Sequence, residues 1–153
     1  MTQPHFEESL TLSPGYKLKE LTTLLRAAME ESLREYKITV PQFACLELLG
    51  RRSHLSNSEL ARGAFVSRQA MNRVLKGLEA KELVSRPQRA ESGRIRRVQL
   101  TPRGAKLLAQ TREGIIGVEE TMVHGLSAEE QAKLSELITR CSDNLQRSFK
   151  PHS

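Results

Sequence analysis

The feature that most constrains the fold is a pair of short helices, predicted between residues 56 and 82 and joined by a four-residue turn. Ser56 and Glu59 have the spacing of a capping box, in which each side chain satisfies the other residue's free backbone amide. Ser67 can cap the second helix, and Gly63-Ala64-Phe65-Val66 supplies the turn between the two. Two short helices joined in this way form a helix-turn-helix.

The second of these helices, over about 67–82, has one apolar and one polar face. The apolar face contains Met71, Val74, Leu75 and Leu78, and the polar face contains Arg68, Gln69, Asn72, Arg73 and Lys76. In the major groove of DNA, Arg or Lys can address guanine, and Asn or Gln can address adenine. Ser67 at the cap can also donate to a phosphate, which the helix N-terminus attracts. The polar face is therefore predicted to bind DNA.

The alternative for this polar face is an ordinary solvated surface, which would mix acids with bases. No acid occurs between Glu59 and Glu79, and the segment from Arg62 to Arg97 contains ten Lys or Arg against three Glu. The remainder of the chain is close to neutral, although the whole carries a formal charge of +6. A basic charge confined to one segment is what a phosphate-binding surface requires, so DNA binding is favoured over the solvated surface.

A β-hairpin, or wing, is predicted after this helix, because strand-like segments at 84–87 and 96–100 flank a polar loop. The arginines of this region are Arg86, Arg89, Arg94, Arg96 and Arg97. An arginine at a loop tip suits the narrow minor groove, and we assign Arg94, beside Gly93, to that contact and Arg96 to the DNA-binding set. Alternate strand positions face opposite ways, so other arginines should pair with helix acids or face solvent.

Amphipathic helices are also predicted on both sides of this region. One covers about 16–36, with apolar residues at steps of three and four, and Thr39 with Gln42 begins a short helix after it. Thr101-Pro102 opens a helix to about 123, and Ser127 caps a last one whose apolar stripe reaches Phe149. The predicted fold is mainly α, with six helices and a two-stranded wing.

The sequence resembles the MarR family of bacterial transcription regulators from about residue 15 to its C-terminus. The resemblance rests on the order and spacing of several segments: Ile38-Thr39-Val40-Pro41-Gln42-Phe43, Ser58-Glu59-Leu60-Ala61, Val66-Ser67-Arg68, 78–86, and Val98-Gln99-Leu100-Thr101-Pro102-Arg103-Gly104. It implies a triangular homodimer that binds palindromic operators in double-stranded DNA, usually as a repressor relieved by a small ligand or an oxidant. One departure concerns the wing, where the family often has Asp-x-Arg and this chain has Ser92-Gly93-Arg94.

This interpretation sets the expected organisation of the chain. Residues 1–14 are expected to form a flexible arm, and residues 15–153 a single domain. Its winged helix-turn-helix lobe covers about 38–101, and its N- and C-terminal dimerisation helices cover about 16–36 and 102–149. The terminal helices should need a partner surface, because their apolar stripes would otherwise be exposed.

The sequence also leaves alternatives to this function open. Redox sensing through Cys45 is an alternative, although a cysteine between Phe43 and Leu46 is more typical of a small buried hydrophobe. A nonspecific architectural DNA binder and a winged helix used for protein contact are further alternatives. The four histidines are scattered and no enzyme motif occurs, so neither a metal, a cofactor nor an enzyme activity is expected. No apolar run is long enough for a membrane span, so a cytoplasmic protein is expected.

Overall fold

The structure of the chain, a computed structural model, describes residues 10–86 and 97–149. These residues form six α-helices: α1 (Pro14–Leu33), α2 (Val40–Arg51), α3 (Asn57–Gly63), α4 (Arg68–Ala80), α5 (Pro102–Met122) and α6 (Ala128–Ser148). A 3-10 turn, Arg34–Tyr36, follows α1. The strands are β1 (Leu55–Ser56), β2 (Val84–Ser85) and β3 (Arg97–Leu100). The predicted mainly α, winged helix-turn-helix fold is confirmed.

Side-chain caps account for most of the helix starts. Thr39 accepts a hydrogen bond from the Gln42 amide at 3.2 Å, and the Gln42 side chain accepts one from the Thr39 amide at 3.0 Å. Ser56 with Glu59 and Ser127 with Glu130 form the same reciprocal box. Each cap satisfies amides that the first helical turn leaves without partners. The predicted starts of α2, α3, α4 and α6 are therefore confirmed.

The sheet has three strands in the order β1-β3-β2, all antiparallel. Val84 pairs with Leu100 in the wing, and Leu55 pairs with Val98 on the other side of β3. The sequence predicted only the two wing strands. A segment of two residues has no periodicity of its own, and β1 exists because its backbone pairs with β3.

The chain divides into two compact units, Met1–Val118 and Glu119–Ser153. The first contains the buried core, whose fully buried side chains include Leu33, Leu46, Leu60, Met71, Leu75, Leu78 and Val98. In the second, no residue of α6 is buried. The single domain over 15–153 and the flexible arm over 1–14 both stay predictions; positions 1–9 of the arm lie outside the described residues, and Ser13 caps α1.

Within the first unit, polar contacts connect α5 to α2 and to the turn that follows α4. Arg112 on α5 lies 3.2 Å from the Glu47 carboxylate on α2. The Thr101 hydroxyl donates to the Glu82 carbonyl at 2.6 Å and accepts from the Gly104 amide at 3.0 Å, so it joins the turn after α4 to the start of α5. None of the described helices is long and apolar enough to cross a bilayer.

Candidate nucleic-acid interface

Helix α4 presents the polar face that the sequence predicts. Its apolar residues Met71, Leu75 and Leu78 are buried in the core. The polar residues Arg68, Gln69, Asn72, Arg73 and Lys76 are all exposed, and so is the cap residue Ser67. The Ser67 hydroxyl accepts the Ala70 amide at 3.0 Å, so it fixes the first turn of α4. The structure therefore brings all six predicted residues of this helix and its cap to one solvated surface.

The position of α4 depends on close packing against α2. A Cβ added to Gly77 would lie 2.7 Å from the side-chain amide nitrogen of Gln42, Nε2. This distance is shorter than the normal contact distance between side-chain atoms. Gln42 is itself held by the capping box with Thr39. A glycine at 77 thus lets the two helices approach, with the polar face of α4 turned away from the core.

A second set of contacts fixes the start of α3, the first helix of the helix-turn-helix. The Ser56 amide donates to the Glu59 carboxylate at 2.8 Å, and the Arg97 guanidinium lies 3.4 Å from the same carboxylate. Arg97 also donates to the His54 carbonyl at 3.0 Å. The backbone hydrogen bond from Ser56, followed by the charges of Arg97 and Arg52, lowers the pKa of Glu59 against the opposing effect of desolvation.

Two of the wing arginines pair with helix acids, as the alternation of strand positions predicted. Arg86, next to the end of β2, lies 2.5 Å from the Glu79 carboxylate on α4, and Arg97 pairs with Glu59. The Glu79 oxygen forms no hydrogen bond of good geometry within the described residues, so the Arg86 contact is ionic. These two arginines have structural roles, and their charges are partly compensated. Arg94 and Arg96, which the sequence assigned to DNA, lie outside the described residues.

One contact within the interface has no counterpart in the sequence prediction. The side-chain amide of Asn57, at the start of α3, donates a hydrogen bond to the side-chain carbonyl oxygen of Asn72 on α4 at 2.8 Å. The two residues are fifteen positions apart, so no local pattern relates them. The sequence signal for this contact was limited to the presence of one asparagine at the start of a helix and another on the polar face of the next helix.

Cys45 lies in the core, and its side chain is fully buried. Burial raises the pKa of the thiol to about 12, so at neutral pH it stays protonated and a poor nucleophile. This environment favours the interpretation of Cys45 as a small hydrophobe over the redox hypothesis. The described residues contain no cluster of three or more His, Cys, Asp or Glu that could hold a metal ion.

An open cleft of about 470 Å³ lies beside the end of α4. Its walls include Tyr36, Lys37, Lys81, Leu83, Arg103, Lys106, Leu107 and Gln110. Lys81 donates to the Lys37 carbonyl, and the Tyr36 hydroxyl donates to the Gln110 carbonyl at 3.2 Å. Arg103 lies 3.6 Å from Glu82, where both side chains are well exposed. The cleft therefore combines four cations with a phenol ring and two leucines.

Comparison with known proteins identifies relatives of the chain. The sequence model of the MarR family matches residues 38–95. The HTH-type transcriptional repressor Rv2887 of Mycobacterium tuberculosis is 33% identical over 126 residues, which cover 82% of this chain and 91% of the relative.

Solved structures of the Rv2887 protein are also similar to the chain. The complex with salicylic acid has a TM-score of 0.67 at 32% identity, and the match covers 84% of this chain and 96% of that one. The complex with DNA has a TM-score of 0.67 at 29% identity, covering 84% and 97% respectively.

Proposed function

The chain belongs to the MarR family, and from that premise we propose that it is a sequence-specific transcription regulator, a repressor that binds a palindromic DNA operator as a homodimer. The observation that carries this proposal is the exposed polar face of α4, with Arg68, Gln69, Asn72, Arg73 and Lys76. The structure of the repressor Rv2887 with DNA supports it. A regulator of this kind acts where the chromosome lies, which accords with a cytoplasmic location.

On α4, the roles of the side chains follow from their chemistry. Asn72 and Arg73 lie two turns or less from the cap, at the end of a recognition helix that normally enters the major groove. There the amide can pair with adenine and the guanidinium with guanine. Ser67 and the amides of the first turn can bind a phosphate and set the depth of insertion. Arg94 and Arg96 remain proposed as wing contacts, from the sequence alone.

The homodimer is supported by apolar side chains that the single chain leaves exposed. On α6, Leu145 is 60% exposed, and Leu137 and Ile138 are also exposed. Phe149, the C-cap residue directly after α6, is 71% exposed. Leu24 on α1 is 62% exposed. Apolar stripes of this length on terminal helices need a partner surface, and a second copy provides one. Two lobes related by a twofold axis then bind two half-sites, which is why the operator should be palindromic.

A small aromatic acid is the effector that we propose to release the DNA. The repressor Rv2887 has been solved with salicylic acid and with p-aminosalicylic acid. In this chain the basic cleft can accept a carboxylate at Lys37, Lys81, Arg103 or Lys106 and a ring against Leu83 and Leu107. Lys81 caps the end of α4, so a ligand there would contact the recognition helix directly.

The experiment that tests this function compares two duplexes. One is selected from a random-sequence library by the protein itself, and the other is a scrambled duplex of equal composition. Fluorescence anisotropy at several salt concentrations should give tight, salt-dependent binding to the first and much weaker binding to the second. Equal affinity would indicate an architectural DNA binder, and absence of binding would indicate a protein-contact module. Sedimentation should give a dimer, and salicylate should weaken binding to the selected duplex.

A further inference from the structure

Asn72 differs from the other candidate base-reading residues because its side chain is already held in the free protein. Its carbonyl oxygen accepts the Asn57 amide at 2.8 Å. No other hydrogen bond to the Asn72 side chain occurs within residues 10–86 and 97–149, and the residue is exposed. Arg68, Arg73 and Lys76 have longer side chains, which form no ion pair with the described part of the chain. The short amide therefore has a defined direction, set by a contact from α3.

The donor of this bond is fixed in turn by the network at the start of α3. Asn57 is the first residue of α3, directly after the cap residue Ser56. Ser56 and Glu59 satisfy each other's amides, and Arg97 on β3 lies 3.4 Å from the Glu59 carboxylate. An asparagine side chain has only two torsions, so a fixed backbone at 57 places its amide within a narrow range.

The Asn57 side chain also has an unfavourable environment that the fold alone does not explain. Its carbonyl oxygen is buried and accepts no hydrogen bond within the described residues. A buried acceptor without a partner is costly, because it has lost its hydrogen bonds to water, and such groups need an explanation. The reverse orientation of the amide would bury N–H donors in place of one acceptor, which proteins tolerate less well. Asn57 is therefore poorly suited to a purely stabilising role.

We infer that Asn57 is a positioning residue that orients the Asn72 amide for a base edge, so that the operator specificity of α4 depends in part on α3. This inference rests on the proposed function. The Asn72 oxygen keeps a second lone pair, and its nitrogen keeps two protons. An adenine edge requires one acceptor and one donor from an asparagine. The contact with Asn57 therefore leaves the adenine-binding capacity of Asn72 intact and removes its rotational freedom.

A double-mutant cycle tests the inference with Asn57→Ala, Asn72→Ala and the double variant. The quantity measured is the operator preference, the Kd for the scrambled duplex divided by the Kd for the selected duplex. Asn72→Ala should lower this preference by about fivefold or more. Asn57→Ala should lower it by at least about twofold with Asn72 present, but by no more than Asn72→Ala does, and by nothing further in the Asn72→Ala background. Ser58→Ala, in the same turn of α3, is the matched control and should change neither Kd.

Thermal unfolding separates positioning from a structural role. Because Asn57→Ala removes an unsatisfied buried oxygen, its melting temperature should equal or exceed that of the wild type. A lower melting temperature together with an equal loss on both duplexes would show a structural role and overturn the inference. In NMR spectra of the free protein, the side-chain amide resonances of Asn72 should shift in Asn57→Ala and stay unchanged in Ser58→Ala.

The remaining outcomes distinguish this inference from the proposed function. If the wild type prefers the selected duplex and the two substitutions are additive, the inference fails and the function stands. If the wild type shows no preference between the duplexes, both fail, because there is then no base reading for Asn57 to support.

Discussion

The Arg97 guanidinium on β3 lies 3.4 Å from the Glu59 carboxylate in the first turn of α3. It also donates to the His54 carbonyl at 3.0 Å, next to β1. One side chain of the wing thus holds the start of the helix-turn-helix. Glu59 accepts the Ser56 amide as well, and this hydrogen bond is the main reason why its pKa is lowered.

The lowered pKa of Glu59 predicts an acid-dependent loss of stability. A carboxyl whose pKa is lower in the folded state stabilises the fold above its unfolded pKa, about 4.3, and this stabilisation is lost as the pH falls through the folded pKa. Glu59→Gln keeps the capping box but cannot ionise, so its melting temperature should fall less steeply with acid. Thermal unfolding between about pH 7 and 3 measures this. Glu130→Gln, in the capping box of α6, is the control, and equal slopes for Glu59→Gln and the wild type would contradict the prediction.

Arg73→Ala should reduce affinity for the selected duplex by about 1–3 kcal/mol and relax the preference at particular operator positions. The reason is that the proposed function assigns the exposed Arg73 guanidinium on α4 to a guanine edge. Titration against a panel of operators, each with one base pair changed, measures the effect. Arg140→Ala on α6 removes the same charge elsewhere and should leave the panel unchanged. If Arg73→Ala weakens all duplexes equally, Arg73 contacts phosphate instead of bases.

Phe65→Gly should leave the protein as stable as the wild type or stabilise it by up to about 1 kcal/mol. Phe65 lies in the turn between α3 and α4 with φ 57° and is 92% exposed, so glycine relieves backbone strain and sacrifices little buried area. Ala64→Gly is the matched control, since Ala64 has φ −93°; it should destabilise by roughly 0.5–1 kcal/mol. Urea unfolding measures both. A clear loss in Phe65→Gly would mean that the aromatic ring contributes to the fold.

The thiol of Cys45 should be unreactive in the native protein, because it is fully buried and its pKa is raised to about 12. In the Cys141→Ser variant, Cys45 is the one remaining cysteine of the chain. With an aromatic disulfide reagent at pH 8, this variant should release almost no thiolate until guanidinium unfolds it, and then one equivalent per chain. Peroxide treatment should leave its DNA affinity unchanged. Rapid native labelling would restore the redox hypothesis.

Two glycines of α5 should respond in opposite ways to alanine. A Cβ at Gly104 would collide with the Leu83 backbone carbonyl, whereas at Gly117 it would meet nothing within 4 Å. Gly104→Ala should therefore destabilise the fold by about 1–3 kcal/mol. Gly117→Ala should stabilise the fold by about 0.5–1 kcal/mol, because alanine has a higher helix propensity than glycine. Chemical denaturation of the two variants provides the comparison. A Gly104→Ala protein as stable as the wild type would show that the end of α4 can move away from α5.

The sequence by itself determined the helix starts and the division of α4 into two faces. Ser56, Ser67 and Ser127 cap the helices that follow them. These features depend on residues within one or two turns of each other, because caps and helical periodicity are local. Their signals are therefore present in the order of residues.

Only the tertiary structure decided which distant residues meet. Asn57 with Asn72, Arg86 with Glu79 and Arg97 with Glu59 depend on how the helices and the sheet pack. Strand β1 likewise exists through its pairing with β3. For each of these residues, the chain contains many polar side chains that could serve as its partner. Position in the sequence favours none of these candidates over the others. The choice is made when burial of the shared core fixes the distances between helices, since a hydrogen bond tolerates only a few tenths of an ångström.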